Sequence, residues 1–453
     1  MKYDIVNTKN VHSTQRFDPS FHLSDAIILR EKVENVPFEN VSIADVTENV
    51  FLGNIFSRVF VKDAEHGIPY LAASDTVLAN LNTGRYLSKK QASTLSYLML
   101  KNNWIVVTCS GTIGNVTYTN SSFENHIATH DLIRIVPNDN KIIRGYLYAF
   151  LASKYGYNQL TQSQFGGVVK HINAEHVRNI KVPRFPDTFQ QEVDDLIQES
   201  ARLREEAADA LEEAVSKFDY LFPTQFKEKH LGKVSSKEIL NSINKRFEGG
   251  FHISEGKDID KYIKEHYEWK SLGDVCSSIS RPDIFKRYYV KNGITFLGGA
   301  DIFLATPGSD KRLSRAKTNN IDALMIKEGM ILLPRSGTIG NVAWAHAGHA
   351  QKLASEHVIR LLPNDILKAG YVYAFLASKY GKKLIQRYIF GSVIQHVEPP
   401  HLKLIPVPVI DDVTMNDIHN KVMIYSSSMG KAIEKERKAI LMVEQEIEKW
   451  NKH

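Results

Sequence analysis

Tyr148-Ala149-Phe150-Leu151-Ala152-Ser153-Lys154-Tyr155-Gly156 recurs, unchanged in nine positions, as Tyr373-Ala374-Phe375-Leu376-Ala377-Ser378-Lys379-Tyr380-Gly381. Working outward, Ser110-Gly111-Thr112-Ile113-Gly114-Asn115-Val116 returns intact as Ser336-Gly337-Thr338-Ile339-Gly340-Asn341-Val342, and Leu98-Met99-Leu100-Lys101 returns as Leu324-Met325-Ile326-Lys327. Weaker echoes extend the match: Arg16-Phe17 with Phe21-His22 against Arg246-Phe247 with Phe251-His252, and Val182-Pro183 against Val407-Pro408. The offset is 226 residues in the Leu98 and Ser110 blocks and 225 in the nine-residue block, so one loop residue has been lost. Identity at a shared offset over this span is not a chance event. The 453 residues are one unit of about 225, used twice.

Composition narrows the class. Hydrophobic residues at 43% and charged residues at 24% exclude wholesale disorder. No apolar run approaches the ~18 residues of a membrane span, and the start, Met1-Lys2-Tyr3-Asp4, carries no secretory apolar stretch. Cys109 and Cys276 cannot frame a disulfide scaffold, so a cytoplasmic, reduced setting is expected. The formal charge of +6 is unevenly spread: Gln190 to Lys217 holds nine acids against three bases. A basic body interrupted by one acidic helix points to anion binding in one place and protein pairing in another.

Within each unit, Ile105-Val106-Val107-Thr108 and Ile331-Leu332-Leu333 are β-rich runs ending in a Ser-Gly turn, expected as buried strands. Tyr146 to Tyr155 and Tyr371 to Tyr380 fit a helix expected to stop at Gly156 and Gly381. A polar, Gly-containing loop follows. A short strand then leaves through Val182-Pro183-Arg184-Phe185-Pro186 or Ile405-Pro406-Val407-Pro408, where proline is expected to end the sheet.

A long helix closes each unit. The first opens at Thr188, with Gln191 three residues on as in a capping box, and carries an apolar stripe through Val193, Ile197, Leu203, Ala207, Leu211, Val215 and Phe218. The second keeps alternating steps of four and three through Met429, Ile433, Glu436, Ile440, Val443, Ile447 and Trp450, coiled-coil spacing with Glu436 as its polar member. The first helix is acidic; from Asp417 to Lys452 the second holds six acids and seven bases, so mutual pairing is favoured over self-pairing. The competing expectation is that each stripe packs on its own globular unit. Paired helices would run antiparallel, with a unit at each end and pseudo-twofold symmetry. Roughly 30 helical residues span about 45 Å, enough to set two heads against successive turns of a duplex, ~34–36 Å apart. The expected division is 1–187, 188–222 (spacer helix 1), 223–411 and 412–453 (spacer helix 2).

In this order, twice, at this length, these features resemble the specificity (S) subunit of type I restriction–modification systems over essentially the full chain. The carriers are the Ser-Gly-Thr-Ile-Gly turns (110–114, 336–340), the loops leading into His171 and His396, the proline exits and the helix ending each repeat. The resemblance implies two tandem target-recognition domains of mixed α/β (α+β) fold, each reading half of an asymmetric, interrupted DNA site. Paired antiparallel helices would set the gap and dock two methyltransferase (M) subunits, with restriction (R) subunits able to join. It further implies a non-catalytic chain without cofactors of its own: S-adenosylmethionine belongs to the methyltransferase, and ATP and Mg to the restriction subunit.

The residues agree with that division of labour. No [Asp/Asn/Ser]-Pro-Pro-aromatic tetrapeptide grips a flipped base; Glu398-Pro399-Pro400-His401 is the nearest string and the wrong chemistry. No phosphate loop occurs, Gly111 to Gly114 being too short to wrap a phosphate chain. Pro282-Asp283-Ile284-Phe285-Lys286 lacks the second acid a nuclease metal site needs, and the histidines show no zinc spacing. Two other classes remain open, a coiled-coil adaptor and the recognition part of a nuclease–methyltransferase.

Candidate DNA contacts follow from difference within likeness: a duplicated scaffold keeps its framework, while base-reading positions change between half-sites. Gln162 and Gln164 in the first loop face Gln386 and Arg387 in the second; Gln pairs bidentately with adenine and Arg with guanine. Lys170 and His171 correspond to Gln395 and His396, and Arg335 replaces Cys109. Ser110, Thr112, Ser336 and Thr338 offer hydroxyls and backbone N–H groups suited to phosphate. Arg58 and Lys62, Lys89 and Lys90, Lys286 and Arg287, and Lys311 and Arg312 are expected phosphate contacts.

Overall fold

In the computed structural model the described residues are Thr8, 26–162, 171–222, Phe226 and 231–452. The chain forms two units: Met1–Glu205 with Lys431–His453, and Glu206–Gly430. The division falls inside both long helices, so the first unit takes in the last stretch of the chain while the second is one continuous segment bounded by the remaining helix halves.

The first unit runs α1 (Ala26–Glu34), β1 (Asn40–Ser42), β2 (Thr47–Phe51), β3 (Phe60–Val61), β4 (Gly67–Leu71), β5 (Tyr86–Ser88), β6 (Ile105–Thr108), β7 (Val116–Tyr118), β8 (Ile127–Ala128) and β9 (Leu132–Pro137). It continues with α2 (Arg144–Ala152), α3 (Lys154–Gln162), α4 (Ala174–Arg178), β10 (Lys181–Pro183) and the start of α5 (Asp187–Leu221). One sheet has the order β2-β9-β6-β7, all antiparallel, with Ile105 opposite Ile135. A second has the order β3-β5-β4-β8, with β4 and β8 parallel, and β1 pairs with β10 alone. All four residues of β6 are buried, as its β-branched run requires of a central strand.

The second unit repeats the plan: α6 (Glu255–His266), β11 (Glu268–Ser271), β12 (Cys276–Ser280), β13 (Tyr289–Leu297), β14 (Arg312–Leu313), β15 (Ile331–Pro334), β16 (Ala343–Trp344), β17 (Leu353–Ala354) and β18 (Val358–Pro363). Then come α7 (Ala369–Ala377), α8 (Lys379–Arg387), α9 (Pro399–Leu402), β19 (Pro406–Val409) and α10 (Asp412–Lys449). The order β12-β18-β15-β16 matches the first sheet strand for strand, and β11 pairs with β19 as β1 does with β10. Pro183 closes β10 as expected, whereas Pro406 opens β19 opposite Ser271 and Pro408 sits inside the ladder opposite Trp269. In a two-stranded sheet every strand is an edge, where a missing N–H is tolerated.

The helix expected to stop at Gly156 instead breaks at Ser153 and restarts as α3; Ser378 does the same before α8. Each serine hydroxyl accepts from the glycine amide three residues on (3.4 Å to Gly156, 3.2 Å to Gly381). The glycines are needed because a Cβ there would run into the backbone of Phe150 and Leu151, or of Phe375 and Leu376, at the corner between the helices. The first residues of the expected loops are therefore helical, which changes where Gln162, Gln386 and Arg387 point.

Both expectations for the long helices are met in part. In the first unit Val193 and Ile197 of α5, with Ala439, Val443 and Ile447 of α10, belong to the same buried cluster as Tyr146, Phe150 and Ile135. Each fully buried Val or Ile contributes about 1.5–3 kcal/mol. In the second unit Lys217 pairs with Asp417 at 3.1 Å and Glu213 with Lys421, so the helices run antiparallel with opposed charge. The buried stripes are turned slightly from those expected. Ala210, Ala214, Ala432 and Ala439 are buried, whereas Leu211, Val215, Ile433 and Ile440 lie half-buried on the flanks. Glu436, the polar member, accepts from Arg204 Nη2 at 2.6 Å and from the Tyr148 hydroxyl. Among the described residues no helix is long and apolar enough to cross a membrane.

Candidate nucleic-acid interface

The Ser-Gly-Thr-Ile-Gly turn follows the central strand in each unit. Gly111 and Gly114 take φ of +71° and +85°, Gly337 and Gly340 +82° and +103°, conformations that favour glycine. The first glycine of each turn has open space where a Cβ would be, while the last packs on the following helix: Gly114 against Tyr157 and Thr161, Gly340 against Lys382 and Gln386. The turn is thus fixed at its inner end and open at its tip, where Thr112 and Thr338 are exposed.

The chain returning from the variable loop pairs with this turn. Ser110 bridges His171, and Ser336 bridges His396. One residue on, Ile172 N–H donates to Cys109 C=O and Val397 N–H to Arg335 C=O, both at 3.0 Å. Turn and loop exit, 61 residues apart in the first unit and 60 in the second, are one piece of structure in both. In the second unit Phe390 also bridges His396, closing a short hairpin with Ser392, Val393, Ile394 and Gln395 exposed at its tip. Gln164 and Lys170 lie outside the described residues.

The helical start of the loop redirects two candidates. Gln386 donates to the Ile339 carbonyl of the turn at 3.3 Å. Arg387 faces inward with 11% of its side chain exposed: it pairs with Asp260 at 3.4 Å, donates to Phe251 C=O at 3.1 Å and lies over the Phe251 ring. One turn of helix places it against α6, so in this arrangement it braces the unit instead of meeting a base. Gln162, its counterpart on α3, is half-exposed.

Among the basic candidates, Arg58 donates to the Tyr70 hydroxyl at 2.6 Å and Thr129 Oγ1 at 3.1 Å, and Arg287 pairs with buried Glu356 at 2.5 Å. Burial raises the Glu356 pKa, but the Arg287 bond and others outweigh it and hold the carboxyl below its usual range. Lys62, Lys89, Lys90, Lys286, Lys311 and Arg312 are exposed. Arg335 is tied to Glu398, which also takes Arg281. Burial pushes the thiol pKa of Cys109 up to about 11 and of Cys276 up to about 12, so neither is a thiolate at neutral pH.

Sequence reasoning missed Arg134 and Arg360, at 0% and 5% exposure. Arg134 donates to the carbonyls of Leu98, Ala128, Thr129 and Leu132; Arg360 donates to those of Leu324, Ala354, Ser355 and Val358. Each guanidinium gathers the segments behind its turn. The signal was an arginine inside an apolar strand in both copies, Ile133-Arg134-Ile135 and Ile359-Arg360-Leu361.

A duplicated mixed α/β unit, presenting a fixed turn and a divergent loop and closed by paired helices, is the class of protein this geometry defines. The chain belongs to the type I restriction modification DNA specificity domain family, whose model matches residues 35–199 and again 264–411. It is similar, at 14% identity, to the crystal structure of a type I restriction-modification S subunit from M. genitalium, over 92% of this chain and 96% of that one, with a TM-score of 0.37. A structure of the HsdS subunit from Thermoanaerobacter tengcongensis aligns at 14% identity over 90% of this chain and 97% of that one, with a TM-score of 0.28. A chain from a study of complex assembly and conformational transition of the type I R-M system aligns at 14% identity over 91% and 98%, with a TM-score of 0.29. No curated protein matches.

Proposed function

We propose that this chain is the sequence-reading subunit of a type I restriction–modification complex, each unit contacting one half of an asymmetric, interrupted site on duplex DNA. The observation that carries this is the repeated pairing of turn with loop exit, Ser110 with His171 and Ser336 with His396, on frameworks whose neighbouring residues differ. Shared hydroxyls and turn N–H groups suit phosphate, which positions without specifying. The divergent residues suit base edges. Two unlike heads predict two unlike half-sites.

The helices α5 and α10 each contribute to both units, which supports their role as the element that sets the gap and docks two methyltransferase subunits. Restriction subunits join the same assembly. The chain itself is non-catalytic and cytoplasmic: S-adenosylmethionine is held by the methyltransferase, and ATP and Mg by the restriction subunit. The test is copurification with the methyltransferase followed by sequencing of modified sites. An interrupted site with dissimilar halves is expected. Identical inverted halves would refute the two-head reading, and S-adenosylmethionine binding by the isolated chain would refute the non-catalytic one.

A further inference from the structure

Glu398 holds two arginines at the base of the second unit's turn and loop. Its Oε1 accepts from Arg335 Nε at 2.8 Å and Nη2 at 2.7 Å, and from Arg281 Nη2 at 3.3 Å; its Oε2 accepts from Arg281 Nε at 2.8 Å. The three residues come from separate segments: Arg281 just after β12, Arg335 just before Ser336, and Glu398 two residues past His396. All are partly exposed, at 29%, 21% and 21% of the side chain.

The first unit supplies an internal control. Sheet register sets Ser280 opposite Arg360 and Phe51 opposite Arg134, so Arg281 corresponds to Leu52; repeat spacing pairs Arg335 with Cys109 and Glu398 with Asn173. Leu52 and Cys109 join the apolar core there. Asn173 caps α4, accepting from His176 N–H at 2.9 Å. Glu398 occupies the same cap position before α9 but makes no cap bond, Pro399 and Pro400 following it. The framework therefore folds without these charges, and in the second unit a capping side chain is committed to the arginines instead. Ion pairs that the scaffold does not need call for another purpose.

Edge geometry indicates what that purpose is. Two guanidiniums share the Glu398 carboxylate; Asp283 also acts on Arg281, and the neighbouring Glu356 is engaged by Arg287. Each arginine presents its Nε–Nη2 edge to Glu398, so its Nη1 end is turned away from the carboxylate. Resting on the reading of this chain as a DNA-recognition subunit, we infer that Arg281 and Arg335, fixed as a pair by Glu398, read guanine in the half-site met by the second unit. The ligand is the guanine O6/N7 edge, two adjacent acceptors that match the outer edge of an arginine fork. Glu398 is a positioning residue, removing the rotamer freedom that a long side chain would otherwise lose on binding. Cys109 and Leu52 offer no such fork, so the first unit lacks this preference.

The experiment is selection from a randomised duplex library by the full chain in complex with its methyltransferase, using wild type, R335K, R281K and E398Q. R335K keeps the charge and a bond to Glu398 but loses the fork, which separates base reading from folding. Thermal melting monitors the fold of each variant. Wild type is expected to require guanine in one half-site. R335K or R281K should lower that preference about tenfold or more, and E398Q should lower it while melting as a folded protein, the other half-site being unchanged in all three. The inference is overturned if wild type shows no guanine requirement or if all variants keep it. Uniform weakening on every sequence with a smaller salt slope would also overturn it, since that is phosphate contact. A wild-type complex that selects no interrupted site at all would instead remove the DNA-reading assignment itself, and this inference with it.

Discussion

Replacing Arg134 with methionine should destabilise the first unit by about 3–5 kcal/mol. Methionine approximates the volume but supplies no donor, so the carbonyls of Leu98, Ala128, Thr129 and Leu132 lose their bonds to the guanidinium, at 3.1, 3.0, 3.2 and 2.9 Å. Each buried group left unpaired costs about 1–3 kcal/mol. Part of that loss is offset because a buried cation no longer has to be desolvated, which puts the net near the cost of breaking a buried charged network. Burial pushes the Arg134 pKa down to about 10, so the side chain remains charged at neutral pH and its bonds are charge-assisted. In a unit of this size each kcal/mol shifts the melting temperature by roughly 2–4 °C, and a fall on the order of 10 °C is expected by differential scanning calorimetry. R360M should do the same to the second unit, and the double variant should sum the two losses, because the arginines share no partner. If R134M melts within about 1 °C of wild type, the guanidinium is not what gathers those segments, and the account of the turn's rear support fails.

Glu448 is held well below the ordinary carboxylate range, to about 2, by hydrogen bonds from Lys154, Lys32 and the Tyr155 hydroxyl. Its folded pKa lies below the unfolded value, so its contribution is present above about pH 4.5 and lost as pH falls towards 2; E448Q should flatten acid unfolding of the first unit in that window. Arg387, braced on Asp260 and Phe251, should when changed to alanine lower the melting temperature of the second unit, and calorimetry showing no change would return it to the list of base readers. Inserting seven residues after Glu205 adds about 10 Å of helix and should lengthen the gap between half-sites by about three base pairs while the bases read stay the same. Sequencing of modified sites checks this, and unchanged spacing would mean that α5 is not the ruler.

The duplication was legible because identical blocks at one offset need no structure to interpret, and both strand-turn motifs followed from it. The helix corner was not. Gly156 reads as a stop in a linear pattern, and only the approach of Phe150 and Leu151 reveals that it lets a second helix start. That shift moved Arg387 from an exposed loop to an interior brace. Most of the helical stripes were legible, with Val193, Ile197, Leu203, Ala207, Phe218, Met429, Val443 and Ile447 buried as expected, but periodicity weighs Ile433 and Ile440 above Ala432 and Ala439, whereas close packing favours the smaller side chains. Glu398 was visible only as a failed motif. Its role depends on β12 lying beside the loop exit, a contact between segments 117 residues apart.

Val193 and Ile197 share a core with Val443 and Ile447. During synthesis at ~5–20 residues per second, the first pair leaves the ribosome on the order of 10–50 s before the second exists. Throughout that interval the amino-terminal head has an uncovered apolar seam. The nascent polypeptide is then a natural client for a holdase, and a premature stop late in the message unfolds the head that was made first.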